Sequence, residues 1–101
     1  DTKRAQIASA LSEHPAILSS ARETLQPLLD YDATSDIGLL ETLKVFIQTN
    51  YNTSETARKL HIHRQSLLYR LKKIEALTGM STSDHEDLFV LEAFSRIYKA
   101  F

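Results

Sequence analysis

A chain of 101 residues, 43% hydrophobic and 25% charged, is long enough for one modest core, so we expect a single soluble globular domain. The absence of cysteine excludes disulfides and thiolate metal sites, and no apolar run reaches the roughly 18–20 residues of a membrane helix. The net charge of −1 argues against nucleic acid for the chain as a whole, but six basic residues and no acidic one lie between 56 and 74.

The first fifty residues predict supporting helices. Only two glycines and two prolines interrupt the whole chain, which favours an all-α fold of five or six helices. Residues 1–13 have only a weak helical pattern and are expected to form a linker or lead-in helix. Pro15 suits the first position of a helix with a clearer pattern. A polar loop over 30–36 should end this helix and cap the next one. Within 14–50 the apolar residues at helical spacing are Ile17, Leu18, Ala21, Leu25, Leu28 and Leu29, then Leu39, Leu40, Leu43, Phe46 and Ile47.

Residues 52–79 predict two helices joined by a tight turn. Asn52 and Glu55 have the spacing of a capping pair for a short helix over 53–60, after a turn at 50–52. A three-residue turn follows, and a longer helix runs from about 64 to 77 and is closed by Gly79. Ala57 is small enough for two helices to cross closely. The apolar contacts at the crossing are expected from Leu60, Ile62, Leu67, Leu71 and Ile74.

Residues 83–101 predict a C-terminal helix, with Ser83 as its cap and acidic residues in its first turn. Its apolar surface is broader than a single stripe, and comprises Leu88, Val90, Leu91, Phe94, Ile97, Tyr98 and Phe101. Such a surface leaves open a second class of function, a protein-interaction module that pairs through this helix, with Phe89, Phe94 and Phe101 as candidate contacts.

A short helix, a tight turn and a longer helix form the helix-turn-helix arrangement that binds the major groove of DNA. If Leu67, Leu71 and Ile74 face the core, the opposite side of the longer helix carries hydrogen-bonding, basic and aromatic side chains that suit base edges and phosphates. We therefore predict sequence-specific binding of double-stranded DNA, with 64–77 as the recognition helix. The predicted DNA-binding residues are Thr53, His63, Arg64, Gln65, Ser66, Tyr69, Lys72 and Lys73.

Two arginines on this helix have competing interpretations. Arg64 stands at its start, where side chains reach base edges, and arginine to guanine is the commonest specific contact. Its alternative is a surface ion pair with Glu55 or Asp84. Arg70 lies beside the apolar stripe, so a structural ion pair is favoured over DNA contact.

Other polar side chains of this segment also have two interpretations each. Lys72 and Lys73 are expected to bind phosphates, against the alternative of solvated charge, and Tyr69 fits either a DNA contact or a lid on the core edge. His61 and His63 lack a third ligand nearby, so no metal is expected, and His63 fits better as a helix cap or a phosphate donor.

A third class of function is an enzyme. The run Ser83-Asp84-His85 contains the residue types of a catalytic triad, but such triads depend on spatial geometry and not on adjacency. No phosphate-binding loop, nucleophile elbow or zinc-protease motif occurs in the sequence. We therefore expect no catalytic residues and no cofactor.

The segment from Asn52 to Glu75, followed by Leu77-Thr78-Gly79, resembles the C-terminal helix-turn-helix of the PucR/CdaR-type bacterial regulators, a Fis-like helix-turn-helix. The run from His63 to Leu67 and the run from Tyr69 to Glu75 carry the match. The lead-in stretches around Leu28–Asp32 and Leu40–Leu43 are also similar, so the resemblance spans roughly 20–100.

Three residues depart from the usual pattern of such proteins. Gln65 and Ser66 stand where the family more often has asparagine and threonine, which keeps hydrogen-bonding ability and affects sequence preference. His61 fills a turn position where many helix-turn-helix proteins have glycine, so its backbone must avoid or tolerate a positive φ.

The resemblance implies a cytoplasmic bacterial transcription regulator, usually an activator. Because helix-turn-helix proteins commonly bind DNA as dimers, we also expect a homodimer, and the lack of a long apolar run leads us to expect no membrane partner. The resemblance also implies an upstream region that binds a small-molecule effector and lies outside these 101 residues. The first residues, which include neither an initiator methionine nor a signal-peptide pattern, are consistent with a piece of a longer chain.

Overall fold

The computed structural model describes residues 2–98, and in this range all regular structure is helical, as the sequence predicts. Six helices occur in the order α1 Thr2–Ser12, α2 Pro15–Ala33, α3 Leu39–Gln48, α4 Thr53–Leu60, α5 Arg64–Thr78 and α6 His85–Ile97. None of them is both long enough and apolar enough to span a bilayer.

The prediction of a loop over 30–36 is wrong at its beginning, because α2 continues through Pro27 and ends only at Ala33.

The last turn of α2 caps the N-terminus of α3. The carboxylate of Asp32 accepts hydrogen bonds from the backbone N–H groups of Leu39 and Leu40, each at 2.9 Å. Gly38, the residue preceding α3, has no side chain for this, so a carboxylate from the preceding helix caps α3.

The turn between α3 and α4 contains two consecutive residues with left-handed backbone, Asn50 and Tyr51, with φ of 58° and 65°. Asparagine tolerates this conformation, but tyrosine does not favour it. Tyr51 is held there by contacts: its ring packs edge-on against Phe46, with centroids 5.6 Å apart, and its hydroxyl donates to Glu92 of α6. Burial and this carboxylate raise the pKa of Tyr51 to about 12.

The core is continuous between the helices. Helix α5 packs against α2, α3 and α4, whereas α6 packs against α1 and α2. As predicted, Leu67, Leu71 and Ile74 are buried on the inner side of α5, and Ala57 of α4 lies in the same core. The other buried hydrophobic residues of this cluster are Ala21, Leu25, Leu28, Leu39, Leu43, Phe46, Leu88, Leu91, Ile97 and Tyr98.

The predicted cap of the last helix is wrong by one residue. Asp84, not Ser83, precedes α6, and its carboxylate accepts the N–H of Glu86 at 2.9 Å. Ser83 instead pairs with the hydroxyl of Ser81, through its own N–H and hydroxyl. The expected contribution of Phe101 to the apolar surface of this helix lies outside the described residues.

Truncation of Leu71 tests the helical phase of α5. Leu71 is 5% exposed where α5 crosses its neighbours, so Leu71→Ala should leave a cavity and lower the free energy of unfolding by about 2–5 kcal/mol. Urea or thermal unfolding measures this loss. Phe89→Ala is the matched control, because Phe89 is 73% exposed on α6 and its truncation should cost less than about 1 kcal/mol. Equal losses for the two variants would contradict the assignment of Leu71 to the core.

Candidate nucleic-acid interface

Helix α4, the first of the helix-turn-helix, is fixed by polar contacts with the turn before it. The side chain of Asn52 accepts the N–H of Glu55 at 2.8 Å, as the capping pattern predicts. The hydroxyls of Thr49 and Thr56 lie 2.7 Å apart in a buried position, and that of Thr56 also donates to the carbonyl of Asn52. Because these buried groups are paired, α4 is held in one position relative to α3.

The turn between α4 and α5 depends on His61, whose backbone is left-handed with φ 57° and ψ 43°. This conformation lets the N–H groups of His61 and Ile62 bond back to carbonyls of α4, that of Ile62 to Ala57 at 3.0 Å. The sequence left open whether His61 avoids or tolerates a positive φ, and the structure shows that it tolerates one. The side chain of His61 is exposed, so this backbone conformation does not force the imidazole into the core.

The N-terminus and the C-terminus of α5 are capped in different ways. His63 occupies the N-cap position, as predicted, but its side chain makes no capping hydrogen bond. Gly79 ends the helix with φ 73°, also as predicted. The carboxylate of Glu75 accepts from the N–H and the hydroxyl of Thr82, at 2.7 and 2.9 Å, and so fastens the end of α5 to the loop before α6.

Six of the eight predicted site residues are exposed, and they lie together on α5 and its N-cap: His63, Arg64, Gln65, Ser66, Tyr69 and Lys72. Tyr69 is 57% exposed, so it does not act as a closed lid over the core. The other two, Thr53 at the start of α4 and Lys73 on the side of α5, are half-buried.

The three basic side chains of this surface, Lys72, Lys73 and Arg64, differ in their contacts with the rest of the protein. The side chain of Lys72 is 84% exposed and lies 3.9 Å from Glu75, a distant surface pair that leaves the ammonium largely solvated. Lys73 stands over the ring of Tyr31, 5.2 Å from its centroid, which holds the amine at the edge of the surface. Within residues 2–98 Arg64 forms no ion pair with Glu55 or Asp84.

Arg70 does not form the expected ion pair with any described residue. Its guanidinium instead donates to the hydroxyl of Thr42 on α3, at 3.2 Å. Beside it a hollow of about 430 Å³ is lined by Ile37, Gln65, Ser66, Tyr69 and Arg70. Ile37 and Thr42 were not predicted from the sequence, because both are brought to α5 by tertiary packing and carry no local signal.

The histidines of the turn and the run Ser83-Asp84-His85 are the other candidate sites that the sequence contains. No group of three or more histidine, aspartate or glutamate side chains in this part of the chain could hold a metal ion. Asp84 and Ser83 are engaged in the cap of α6 and in contact with Ser81, and not with one another in the manner of a triad.

Replacement of His61 by glycine should stabilise the chain, because a residue with a Cβ is strained at this φ. We expect His61→Gly to raise the free energy of unfolding by about 0.5–1 kcal/mol, after the greater chain entropy of unfolded glycine is subtracted. His61→Ala keeps the strain and is the control. If both variants gain equally in denaturant titrations, loss of the imidazole and not relief of the backbone is the cause.

The contact between Glu75 and Thr82 should make the free energy of unfolding depend on pH in the acid range. The backbone N–H of Thr82, with smaller contributions from its hydroxyl and from Lys72, lowers the pKa of Glu75 below 4.5, and burial only partly opposes this. Because the folded pKa is the lower one, this stabilisation is present above pH 4.5 and is lost as the pH falls through the folded value.

Glu75→Gln should therefore cost about 1 kcal/mol at pH 7, and its stability should decline less than that of the parent below pH 4.5. Unfolding measured from pH 7 to pH 3 tests this. Glu92 also has a lowered pKa, so the parent and the variant share part of the acid loss, and only the difference between them reports on Glu75. An acid profile identical to that of the parent would show that the carboxylate of Glu75 contributes nothing.

Comparison with known proteins places this geometry in a family. The chain is 40% identical over 76 residues to the purine catabolism regulatory protein of Bacillus subtilis, covering 75% of this chain and 14% of that protein. It is 33% identical over 84 residues to the carbohydrate diacid regulator of Escherichia coli, covering 76% and 22%. The chain thus spans less than a quarter of the length of either regulator.

A solved structure has the same fold. The regulator of polyketide synthase expression from Bifidobacterium adolescentis superimposes with a TM-score of 0.70 at 26% identity, over 80% of this chain and 33% of that one. The family model described as the PucR C-terminal helix-turn-helix domain matches residues 39–97, which include α3 to α6. This match covers more than half of the chain, and the protein therefore belongs to the family of PucR C-terminal helix-turn-helix domains of transcription regulators.

Proposed function

We propose that residues 1–101 act as one domain that binds double-stranded DNA sequence-specifically, with α5 in the major groove, as the output of a bacterial transcription regulator. The observation that carries this proposal is the outer surface of α5. There Arg64, Gln65, Ser66 and Tyr69 are exposed in its first two turns, next to a turn held by backbone hydrogen bonds. These side chains donate and accept hydrogen bonds, which is what base edges and phosphates require.

Electrostatics support the same surface. The segment 56–74 contains six basic residues and no acidic one, although the whole chain carries −1. A field of this kind acts locally, because salt screens charges over about 10 Å, so acidic residues beyond that distance do not cancel it. Arg64 lacks a protein partner among the described residues and is free to contact a base. Lys72, Lys73 and Thr53 are proposed to contact phosphates at the edges of the groove, with His63 at the entrance of α5.

Three further features are proposed from family membership. The protein functions as a homodimer that binds two half-sites about 34 Å apart on one face of the duplex. A region upstream of these residues binds a small-molecule effector, in keeping with relatives named for purine catabolism and carbohydrate diacids. We propose that the protein is a cytoplasmic activator with no cofactor and no catalytic activity of its own.

Substitutions on α5 should separate base contacts from phosphate contacts. Arg64→Ala should cost about 1–3 kcal/mol on the preferred site and relax the preference at one base position. Lys72→Ala and Lys73→Ala should weaken binding to specific and random DNA alike. Each should lower the slope of log affinity against log salt by about one per bound protomer.

The measurement titrates a dimeric form of the chain into DNA duplexes at several salt concentrations. The preferred duplex is first selected from random sequences. Arg96→Ala is the control, since Arg96 is an exposed cation on α6 that pairs with Glu92 at 3.0 Å. It should leave affinity and slope unchanged. Binding by all three α5 variants that matches the parent would contradict the proposal and favour a protein-interaction module instead. The exposed Phe89 and Ile7 would then be the first residues to test.

A further inference from the structure

We propose that Arg70 binds a backbone phosphate of DNA in the hollow beside α5, and that Thr42 of α3 positions its guanidinium for this task. The inference rests on the proposed function and deepens it, because it assigns a DNA contact to a residue outside the outward face of α5. It replaces the structural ion pair that the sequence favoured for Arg70.

The guanidinium of Arg70 has hydrogen-bond donors that the protein does not use. A guanidinium has five N–H donors, and within residues 2–98 that of Arg70 uses one, in the 3.2 Å bond to the hydroxyl of Thr42. Arg70 is half-buried, and the ion pairs of the described residues do not include it. A purely structural arginine in such a position would pair with an acid, since desolvating an uncompensated charge is costly. The remaining donors are therefore available to an external anion.

The hydroxyl of Thr42 is held in place by a hydrogen bond of its own. Thr42 is fully buried, and its hydroxyl donates to the carbonyl of Gly38 at 2.6 Å. With its proton committed to Gly38, the hydroxyl can only accept from Arg70, which fixes the orientation of the guanidinium. A planar guanidinium fixed in advance loses less entropy when it binds a phosphate than a free side chain does.

Four of the five residues that line the hollow have side chains that can form hydrogen bonds. They are Gln65, Ser66, Tyr69 and Arg70; the fifth is Ile37, and none of the five is acidic. Several hydrogen-bond donors around one cation suit a phosphate group. Because Ser66 and Tyr69 also belong to the surface proposed to bind DNA, the phosphate is that of the DNA backbone and not a free ion.

A contact of this kind would join a supporting helix to the ligand. Phosphate contacts set the position and angle of a protein on the duplex, whereas base contacts select the sequence. Through Thr42 and Arg70, the position of α3 would determine how deeply α5 enters the groove.

The test combines Arg70→Gln, Thr42→Val and the double variant in DNA titrations across salt concentrations. Arg70→Gln should weaken specific and random duplexes by about tenfold and lower the salt slope by about one. Thr42→Val keeps the shape but removes the hydroxyl, so it should weaken binding in the parent and have no further effect once Arg70 is replaced. Thr42→Ser, which keeps the hydroxyl, should bind as the parent does. Because Thr42 is buried, its replacement can affect folding. Circular dichroism and thermal melting therefore check that each variant is folded.

Three results decide the outcome. An unchanged salt slope in Arg70→Gln, with a lowered slope in Lys72→Ala, would overturn the role of Arg70 and leave the proposed function intact. Absence of salt-dependent DNA binding by the parent would overturn both. An NMR titration of the Arg70 side-chain signals with inorganic phosphate distinguishes the source of the anion. Saturation by millimolar phosphate without DNA would indicate a site for a small anion and contradict the proposal.

Discussion

The packing of the inner side of α5 constrains everything else on this helix. Leu67, Leu71 and Ile74 are buried between α2, α3 and α4, and their burial determines which direction every other residue of α5 faces. A rotation of the helix by one residue would move these side chains toward water and carry polar ones into the core, at a cost of several kcal/mol. The exposed surface with Gln65 and Tyr69 is therefore a direct consequence of the core.

The surrounding contacts hold this helix at both ends. His61 reverses the chain in a left-handed conformation, and the buried hydroxyl pair of Thr49 and Thr56 fixes the helix that precedes it. At the other end, Gly79 terminates α5, and Glu75 bonds to the loop that leads to α6. A recognition surface needs such rigidity, because base contacts depend on side chains that are already in position when DNA arrives. The proposed role of Arg70 would extend this arrangement to α3.

The sequence was most informative where structure is determined locally. Helix periodicity and caps predicted α4 and α5 within one residue, because the signals at Asn52 and Gly79 act over three or four positions. The contacts that it missed join residues far apart in the chain: Asp32 caps a helix seven residues later, and Thr42 meets a side chain 28 residues away. The wrong cap at Ser83 has a local cause, since two adjacent residues could each serve and only the backbone conformation selects between them.

The central claim is that the outer surface of α5 is the DNA interface, and an NMR titration of the isotopically labelled 101-residue chain with a selected duplex tests it most directly. The account predicts that the largest changes in amide and side-chain signals fall at His63–Lys73, with smaller changes at Thr53 and Ile37. Signals of α6, including that of the exposed Phe89, should stay in place. Changes concentrated on α1 and α6, with the signals of α5 unaltered, would contradict it.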